Sequence, residues 1–155
     1  MKYLKNYKLF ESNESLEDIN EYIDDILLPL EETNFVMVRN FTRYVNVDSS
    51  QPDVKVDVNQ IRIEITNHLD EKPYDDFLLT EDSLSNIKSL YNYMLSTDWV
   101  LKFFKIKYYK GIRCESKDIS SIEEFENIYN DFADDDKLIS ISLLFSEQDY
   151  IDDSL

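Results

Sequence analysis

The segment of residues 99–113 constrains the fold most, because it is dense in the aromatic and β-branched residues that favour a pleated strand. Its apolar side chains change parity near Phe103 and Phe104, so both faces of the predicted strand carry them. A strand that is apolar on both faces belongs inside a sheet. Gly111, the only glycine of the sequence, predicts a bulge or turn at the end of this strand.

The same strand carries the one basic run of an acidic chain, formed by Lys102, Lys105, Lys107, Lys110 and Arg113. Alternation places Lys105, Lys107 and Tyr109 on one face, opposite the apolar residues between them. Interleaved cations and rings suit a surface that stacks bases and neutralises phosphates. The alternative is that these cations face acidic helices of the same protein. We favour this alternative, because the sequence has 33 acidic residues and 16 basic ones.

Three segments have the apolar spacing of amphipathic helices. The first begins at residues 15–18 and the third at residues 121–124, both of which have the capping-box pattern of a hydroxyl followed three positions later by a carboxylate. The second begins at Thr80. Pro29 predicts the end of the first helix, because proline disfavours helix in the residue before it.

The remaining strands are predicted from alternation. Residues 35–47 and 54–66 flank a polar turn and are most simply an antiparallel hairpin. The apolar parity of the second strand flips at residues 59–60, which predicts a β-bulge there. Residues 139–145 alternate apolar side chains with serines, as expected of a half-buried strand, and residues 1–10 fit an edge strand.

The predicted order of elements is therefore (β)-α-β-β-α-β-α-β. It indicates an α+β fold with a mixed, mainly antiparallel sheet and helices packed on one face. If residues 1–10 form a strand, the first six elements have the ferredoxin-like order βαββαβ, with an αβ unit added. We expect one domain over residues 1–155, with a frayed acidic tail from about residue 147.

The charge is large but the chain should still fold. The formal net charge is −17, yet the hydrophobic fraction of 43% is above that of disordered segments. Residues 114–155 are the acidic pole, with 13 acidic and 2 basic residues. Such a field repels nucleic acid and anionic membranes and speeds encounter with basic proteins, although charge of this size often serves only solubility.

The cysteine content and the N-terminal residues point to the cytoplasm. The lone Cys114 excludes an internal disulfide and suits a reducing compartment. Residues 1–10 have a lysine at every third position and no continuous apolar run, so the sequence predicts neither a signal peptide nor a membrane span there.

Catalytic and metal-binding patterns are mostly missing from the sequence. His68 and Cys114 are far apart, and a single glycine leaves no phosphate-cradling loop and no nucleophile elbow. A closed zinc site needs four N or S ligands. The densest carboxylate cluster lacks the spacing and the central glycine of a calcium loop, which favours a solvated helix end. That cluster is Asp131, Asp134, Asp135 and Asp136. We expect no catalysis, no cofactor and no metal.

Carboxylates are the only functional groups that are abundant in the sequence, and two predicted helices display them along one face. Because DNA also presents a regular row of negative charges, a row of carboxylates can compete for a phosphate-binding groove. The alternative, which we favour for these two helices, is that both are ordinary solvated faces. The first helix offers Glu17, Glu21, Asp24 and Asp25, and the third offers Glu123, Glu124, Glu126 and Asp131.

Residues 1–12, Met-Lys-Tyr-Leu-Lys-Asn-Tyr-Lys-Leu-Phe-Glu-Ser, resemble a start that recurs among small uncharacterised proteins of tailed bacteriophages. Residues 21–36 are similar to what often follows that start. The resemblance covers roughly the first quarter of the chain and brings no known catalytic residues. It implies a phage origin, and phage genomes encode many small accessory proteins that bind host factors, including acidic inhibitors of defence nucleases. The resemblance therefore favours a protein whose carboxylates mimic nucleic acid. It also favours a location in the host cytoplasm, with virion association as an alternative.

Three functions follow, in descending order of support. The first is a non-enzymatic acidic protein that binds a basic host or phage protein and blocks its nucleic-acid site. The second is a structural or virion-associated assembly protein, motivated by 11 tyrosines and 9 phenylalanines. The third is a nucleic-acid binder that uses the 102–113 strand, which the net charge disfavours. No membrane partner is expected, and the sequence leaves the oligomeric state open.

Overall fold

A computed structural model describes residues 16–31, 35–66 and 81–151. Within these ranges the chain forms three helices and five strands, which confirms the predicted α+β class. The helices are α1 (Leu16–Glu31), α2 (Glu81–Ser96) and α3 (Ile122–Asn130). The strands are β1 (Phe35–Val45), β2 (Val56–Thr66), β3 (Val100–Lys110), β4 (Arg113–Asp118) and β5 (Lys137–Ser146).

The five strands form one sheet in the order β1-β2-β5-β3-β4. Every pairing among these strands is antiparallel. The last strand of the chain, β5, lies at the centre, between β2 and β3. The strand predicted in residues 1–10, on which the ferredoxin-like order depends, lies outside the described residues.

Helix α1 forms because its apolar residues recur on one side. Ile19, Ile23, Leu27 and Leu30 are all at most 1% exposed, which is the spacing of a helix face turned toward a core. The helix continues past Pro29 to Glu31, beyond the predicted end. Burial of Leu30 in the last turn offsets the backbone hydrogen bond that proline cannot donate.

All three helices pack on the same face of the sheet, as predicted. One core cluster joins α1, α2 and α3 to the side chains that the central strands turn toward them. Phe104 of β3 is its hub, with ring centroids 5.8 Å from both Tyr91 of α2 and Phe125 of α3. The opposite face, on which no described helix packs, is termed the helix-free face.

The predicted β-bulge at residues 59–60 is wrong. The register between β1 and β2 runs without a shift from Phe35 opposite Thr66 to Val45 opposite Val56. The parity change has another cause. Ile61 and the following odd-numbered isoleucines join the main core, whereas Val58 is buried on the helix-free face.

The bulges lie instead between β3 and β5. The register shifts between Leu101 and Phe103, where Lys102 of β3 is the extra residue, and again between Lys107 and Tyr108, where Ile139 of β5 is the extra residue. The first shift changes the core-facing residues from odd to even numbers, so that Leu101 and Phe104 both face the helices. The parity change near Phe103 and Phe104 therefore marks a bulge at Lys102, and it also leaves Phe103 on the helix-free face.

β3 ends where the sequence predicts a turn. Gly111 has a φ of 66°, a conformation that glycine adopts without strain. The chain then returns as β4, an edge strand that the sequence analysis did not predict. Its six residues have no apolar alternation, because none of them is buried.

Replacing Gly111 with alanine should lower the free energy of unfolding by about 1 kcal/mol. A Cβ atom there would meet only Asp135 Oδ2 at 3.8 Å, so the cost comes from the positive φ and not from a clash. Gly111→Asn is the matched control, since asparagine tolerates this conformation and should cost less. Urea denaturation measures both; equal losses would mean that the backbone conformation does not limit this turn.

The first residues of the tail do not fray, in contrast to the prediction. Glu147 Oε1 accepts a 2.7 Å hydrogen bond from the Asn59 amide, and the Ile151 amide donates to Asn46 O at 2.8 Å. Between them Tyr150 is only 7% exposed and packs with Val45 and Val58 on the helix-free face. Residues 152–155 lie outside the described ranges.

Candidate functional site

The two layers of the fold carry opposite charge. By sequence, the three helices hold eleven acidic residues and one basic residue, whereas the five strands hold ten basic and four acidic residues. The net charge of −17 therefore hides a separation between an acidic helix layer and a basic sheet. Both layers are candidate sites.

The acidic face of α1 consists of Glu17, Glu21, Asp24 and Asp25, as predicted. All four are exposed. Among the residues that the structure describes, none of the four has an ion pair, and the last turn of α1 contains no basic residue. Within the described part of the chain, this face presents its charge to solvent without an internal counterion.

Two carboxylates of α3, in contrast, make hydrogen bonds or ion pairs within the protein. Ser121 caps the helix by accepting from the Glu124 amide at 3.1 Å. The Glu124 carboxylate accepts from the Ser120 amide and hydroxyl, at 2.6 and 2.8 Å, and these bonds lower its pKa. Glu126 Oε2 lies 3.2 Å from Lys88 Nζ of α2. Of the predicted set, Glu123 and Asp131 stay exposed, so α3 offers no continuous row of free carboxylates.

The aspartates after α3 stabilise a turn. Asp131 is the C-cap residue. Asp136 accepts hydrogen bonds from the Gly111 amide at 3.2 Å and the Ala133 amide at 2.9 Å. Asp134 and Asp135 are exposed. Helix α3 thus ends at Asn130, and the cluster follows it. Within the described ranges, no group of three or more His, Cys or carboxylate residues is arranged to hold a metal.

Most of the basic strand is neutralised inside the protein, but not by the helices. Lys102 Nζ lies 2.8 Å from Asp149 Oδ1 of the tail and lowers the pKa of that carboxyl. On β3 and β4, Lys105 pairs with Asp118 at 3.8 Å and Arg113 with Glu115 at 2.8 Å. For Lys107 and Lys110 the described residues provide no ion pair.

Three arginines on the helix-free face were not predicted as site residues from the sequence. The guanidinium carbon of Arg39 lies 5.4 Å from the Phe41 ring, that of Arg43 lies 5.3 Å from Tyr150, and that of Arg62 lies 5.2 Å from Phe103. Such cation–π contacts hold guanidinium groups over rings. The available signal was the Arg-x-Phe-x-Arg alternation of β1, which is less conspicuous than the lysine run of β3.

The described residues contain little that resembles a reaction site. Cys114 is exposed on β4, and His68 lies outside the described ranges, so the structure does not test a pairing between them. A shallow cleft of about 350 Å³ lies beside the β3–β4 turn, lined by Tyr109, Gly111, Ile112, Asp135 and Lys137.

None of the described helices is long and apolar enough to cross a membrane. The geometry therefore leaves two binding surfaces to compare, an exposed row of carboxylates on α1 and a sheet face with arginines stacked on rings. In comparisons with known proteins, no family model, no curated protein and no solved structure matches this chain.

Proposed function

We propose that the protein is a non-enzymatic interaction protein whose α1 face binds a basic protein surface. The observation that carries the proposal is the row of four exposed carboxylates on α1, for which the described residues provide no ion pair. The resemblance of the N-terminal quarter to tailed-phage proteins supports a partner that itself binds nucleic acid, such as a host defence protein. Blocking its phosphate-binding groove would inhibit it.

The spacing of these carboxylates fits such a groove. Glu17 and Asp25 are eight residues apart, which is about 12 Å along a helix. Four charges over that length come to one per roughly 3–4 Å, close to the phosphate spacing of about 3.4 Å along the axis of one DNA strand. The helix therefore matches the linear charge density of a single phosphate backbone.

The charge pattern of α1 also works against the helix itself. Glu17 and Glu21, and Glu21 and Asp25, are like charges at i,i+4, and each such pair costs roughly 0.2–0.5 kcal/mol. With no cation in its last turn, α1 leaves its helix dipole uncompensated at that end. Because this charge pattern weakens the helix, we infer that it serves binding and not stability. A row of carboxylates speeds encounter with a basic partner.

Neutralising the face should abolish partner capture. We expect Glu17→Gln, Glu21→Gln, Asp24→Asn and Asp25→Asn together to weaken binding by more than about tenfold. The test is a pull-down from bacterial lysate at about 50 mM salt, with mass spectrometry and then an affinity measurement on the captured protein. Binding should fall steeply toward about 200 mM salt and be competed by duplex DNA.

A charge-matched control uses exposed carboxylates that do not lie together. Replacing Asp53, Asp57, Asp98 and Asp134 with asparagine changes the net charge equally and should leave most of the binding intact. Equal losses in both variants would show that only the total charge matters. If the pull-down at low salt recovers no nucleic-acid-binding protein, the proposal is wrong.

The assembly alternative receives less support from the surface. Among the described tyrosines and phenylalanines, only Tyr44 is a largely exposed side chain, at 69%. Most of the others fill the main core or pack against it. The described part of the chain thus shows no aromatic patch that would drive assembly.

A further inference from the structure

The helix-free face contains buried polar groups that nothing in the structure satisfies. Gln60 is fully buried on β2, and neither its Oε1 nor its Nε2 has a hydrogen-bond partner. On the same face of the same strand, Arg62 Nε and Thr66 Oγ1 are also buried without partners. Native proteins rarely leave such atoms unpaired, so three in one row indicate a surface that an external group completes.

This face is also positively charged. The strand register places six cations and two carboxylates on it. The cations are Arg39, Arg43, Arg62, Lys105, Lys107 and Lys137, and the carboxylates are Glu64 and Asp118. Both carboxylates make only long ion pairs, at 3.6 and 3.8 Å, with Arg62 and Lys105. The excess of cations favours an anionic ligand.

Flat apolar groups accompany the cations. Phe41 and Phe103 are half-buried on this face, with Arg39 and Arg62 lying over their rings. Phe41 is directly opposite Gln60, and Arg62 lies two residues further along β2. Rings and guanidinium planes together form platforms on which a base stacks, worth about 1–3 kcal/mol per base where measured.

We propose that the helix-free face binds a single strand of nucleic acid. Its phosphates would meet Arg39 and Lys107, and its bases would stack beside Phe41 and Phe103. Because the Gln60 amide is fully buried in the free protein, a base edge would pair with its donor and acceptor only after the half-buried Phe41 ring opposite it moves aside. An acidic peptide offers no flat base edge for the Gln60 amide. A nucleic-acid strand supplies all three kinds of group.

The net charge of −17 does not prevent this binding. Eleven of the 33 acidic residues lie in the helices, whose outer surface is roughly 10–15 Å from the helix-free face, and Asp149 of the tail is already paired with Lys102. The Debye length is about 10 Å at 0.1 M salt, so a strand on this face is largely screened from them. Lys105 and Lys107 of the 102–113 strand contribute to this face together with the arginines of β1 and β2, and the binding does not depend on the proposed role of α1.

The test is fluorescence anisotropy with a labelled 15-nucleotide single strand, as DNA and as RNA, at about 100 mM salt. We expect a Kd of roughly 1–100 µM. Arg39→Glu with Lys107→Glu should weaken binding by at least about tenfold. The control, Lys110→Glu with Lys117→Glu, changes the charge equally on exposed residues of the other face and should change the affinity less than about twofold.

Gln60→Met separates recognition from folding. It removes an unsatisfied buried amide, so the Tm should stay level or rise, while affinity falls at least about fivefold. The absence of binding by both strands at about 100 µM protein would overturn the proposal. Equal losses in the two double variants would overturn it too, as would a Gln60→Met protein with unchanged affinity. None of these outcomes bears on capture of a partner by α1.

Discussion

Replacing Phe104 with alanine will lower the free energy of unfolding by about 3–5 kcal/mol. Phe104 is 1% exposed and lies between Tyr91 and Phe125, so its ring links the sheet to two helices. Removing the ring leaves a cavity and breaks two aromatic contacts, each worth about 0.5–1.5 kcal/mol beyond area burial. Urea denaturation followed by circular dichroism measures the loss.

Phe103→Ala is the matched control, because it makes the same chemical change one residue earlier on the same strand. Phe103 lies on the helix-free face, is half-buried and has Arg62 over its ring. Its loss should cost about 1–2 kcal/mol. Similar costs for the two variants would contradict the placement of Phe104 at the hub of the core. If Phe104→Ala does not fold, Phe104→Leu should still fold and lose more stability than Phe103→Leu.

The parity of apolar residues predicted most of the fold but not the cause of each change in parity. In β2 the change reflects burial on both faces, since Val58 packs with Tyr150 and Ile61 with the helices. In β3 it reflects a bulge at Lys102. Both arrangements give the same one-dimensional pattern. Only the neighbouring strands and the tail distinguish them, and these contacts are distant in sequence.

The same limit applies to the candidate sites. The carboxylates of α1 were predictable, because a helix of known phase exposes one face. The ion pair between Lys88 and Glu126 was not predictable, because it joins α3 to a residue of α2 that lies 38 positions earlier in the sequence. The arginines of the helix-free face come together only when β1 pairs with β2 and β2 with β5. Long-range pairing, and not local pattern, sets their arrangement.

The tail provides the clearest case in which charge misled the prediction. An acidic segment near the end of the chain is expected to be solvated. Here Asp149 bonds to Lys102, and the Lys102 Nζ lies 4.0 Å from the centre of the Tyr150 ring. The bulge therefore positions Lys102 for the tail, because Asp149 and Tyr150 of the tail both contact this lysine.

Replacing Tyr150 with alanine should consequently cost about 3 kcal/mol, although only five residues follow it in the given sequence. The change removes the ring from Val45 and Val58 and leaves Lys102 and Arg43 without their aromatic partner. Thermal and urea unfolding measure the loss, and limited proteolysis should show cleavage after residue 146 that the parent protein resists.

Tyr150→Phe is the control that keeps the ring. It removes only the 3.2 Å hydrogen bond from Arg43 Nη1 to the Tyr150 hydroxyl, so it should cost about 0.5–1.5 kcal/mol. The difference between the two variants isolates the burial of the ring from its polar contact. If Tyr150→Ala unfolds within about 0.5 kcal/mol of the parent protein, the tail frays in solution as its charge suggested. A loss near 3 kcal/mol instead makes the tail a structural part of the sheet, because surface residues rarely contribute that much.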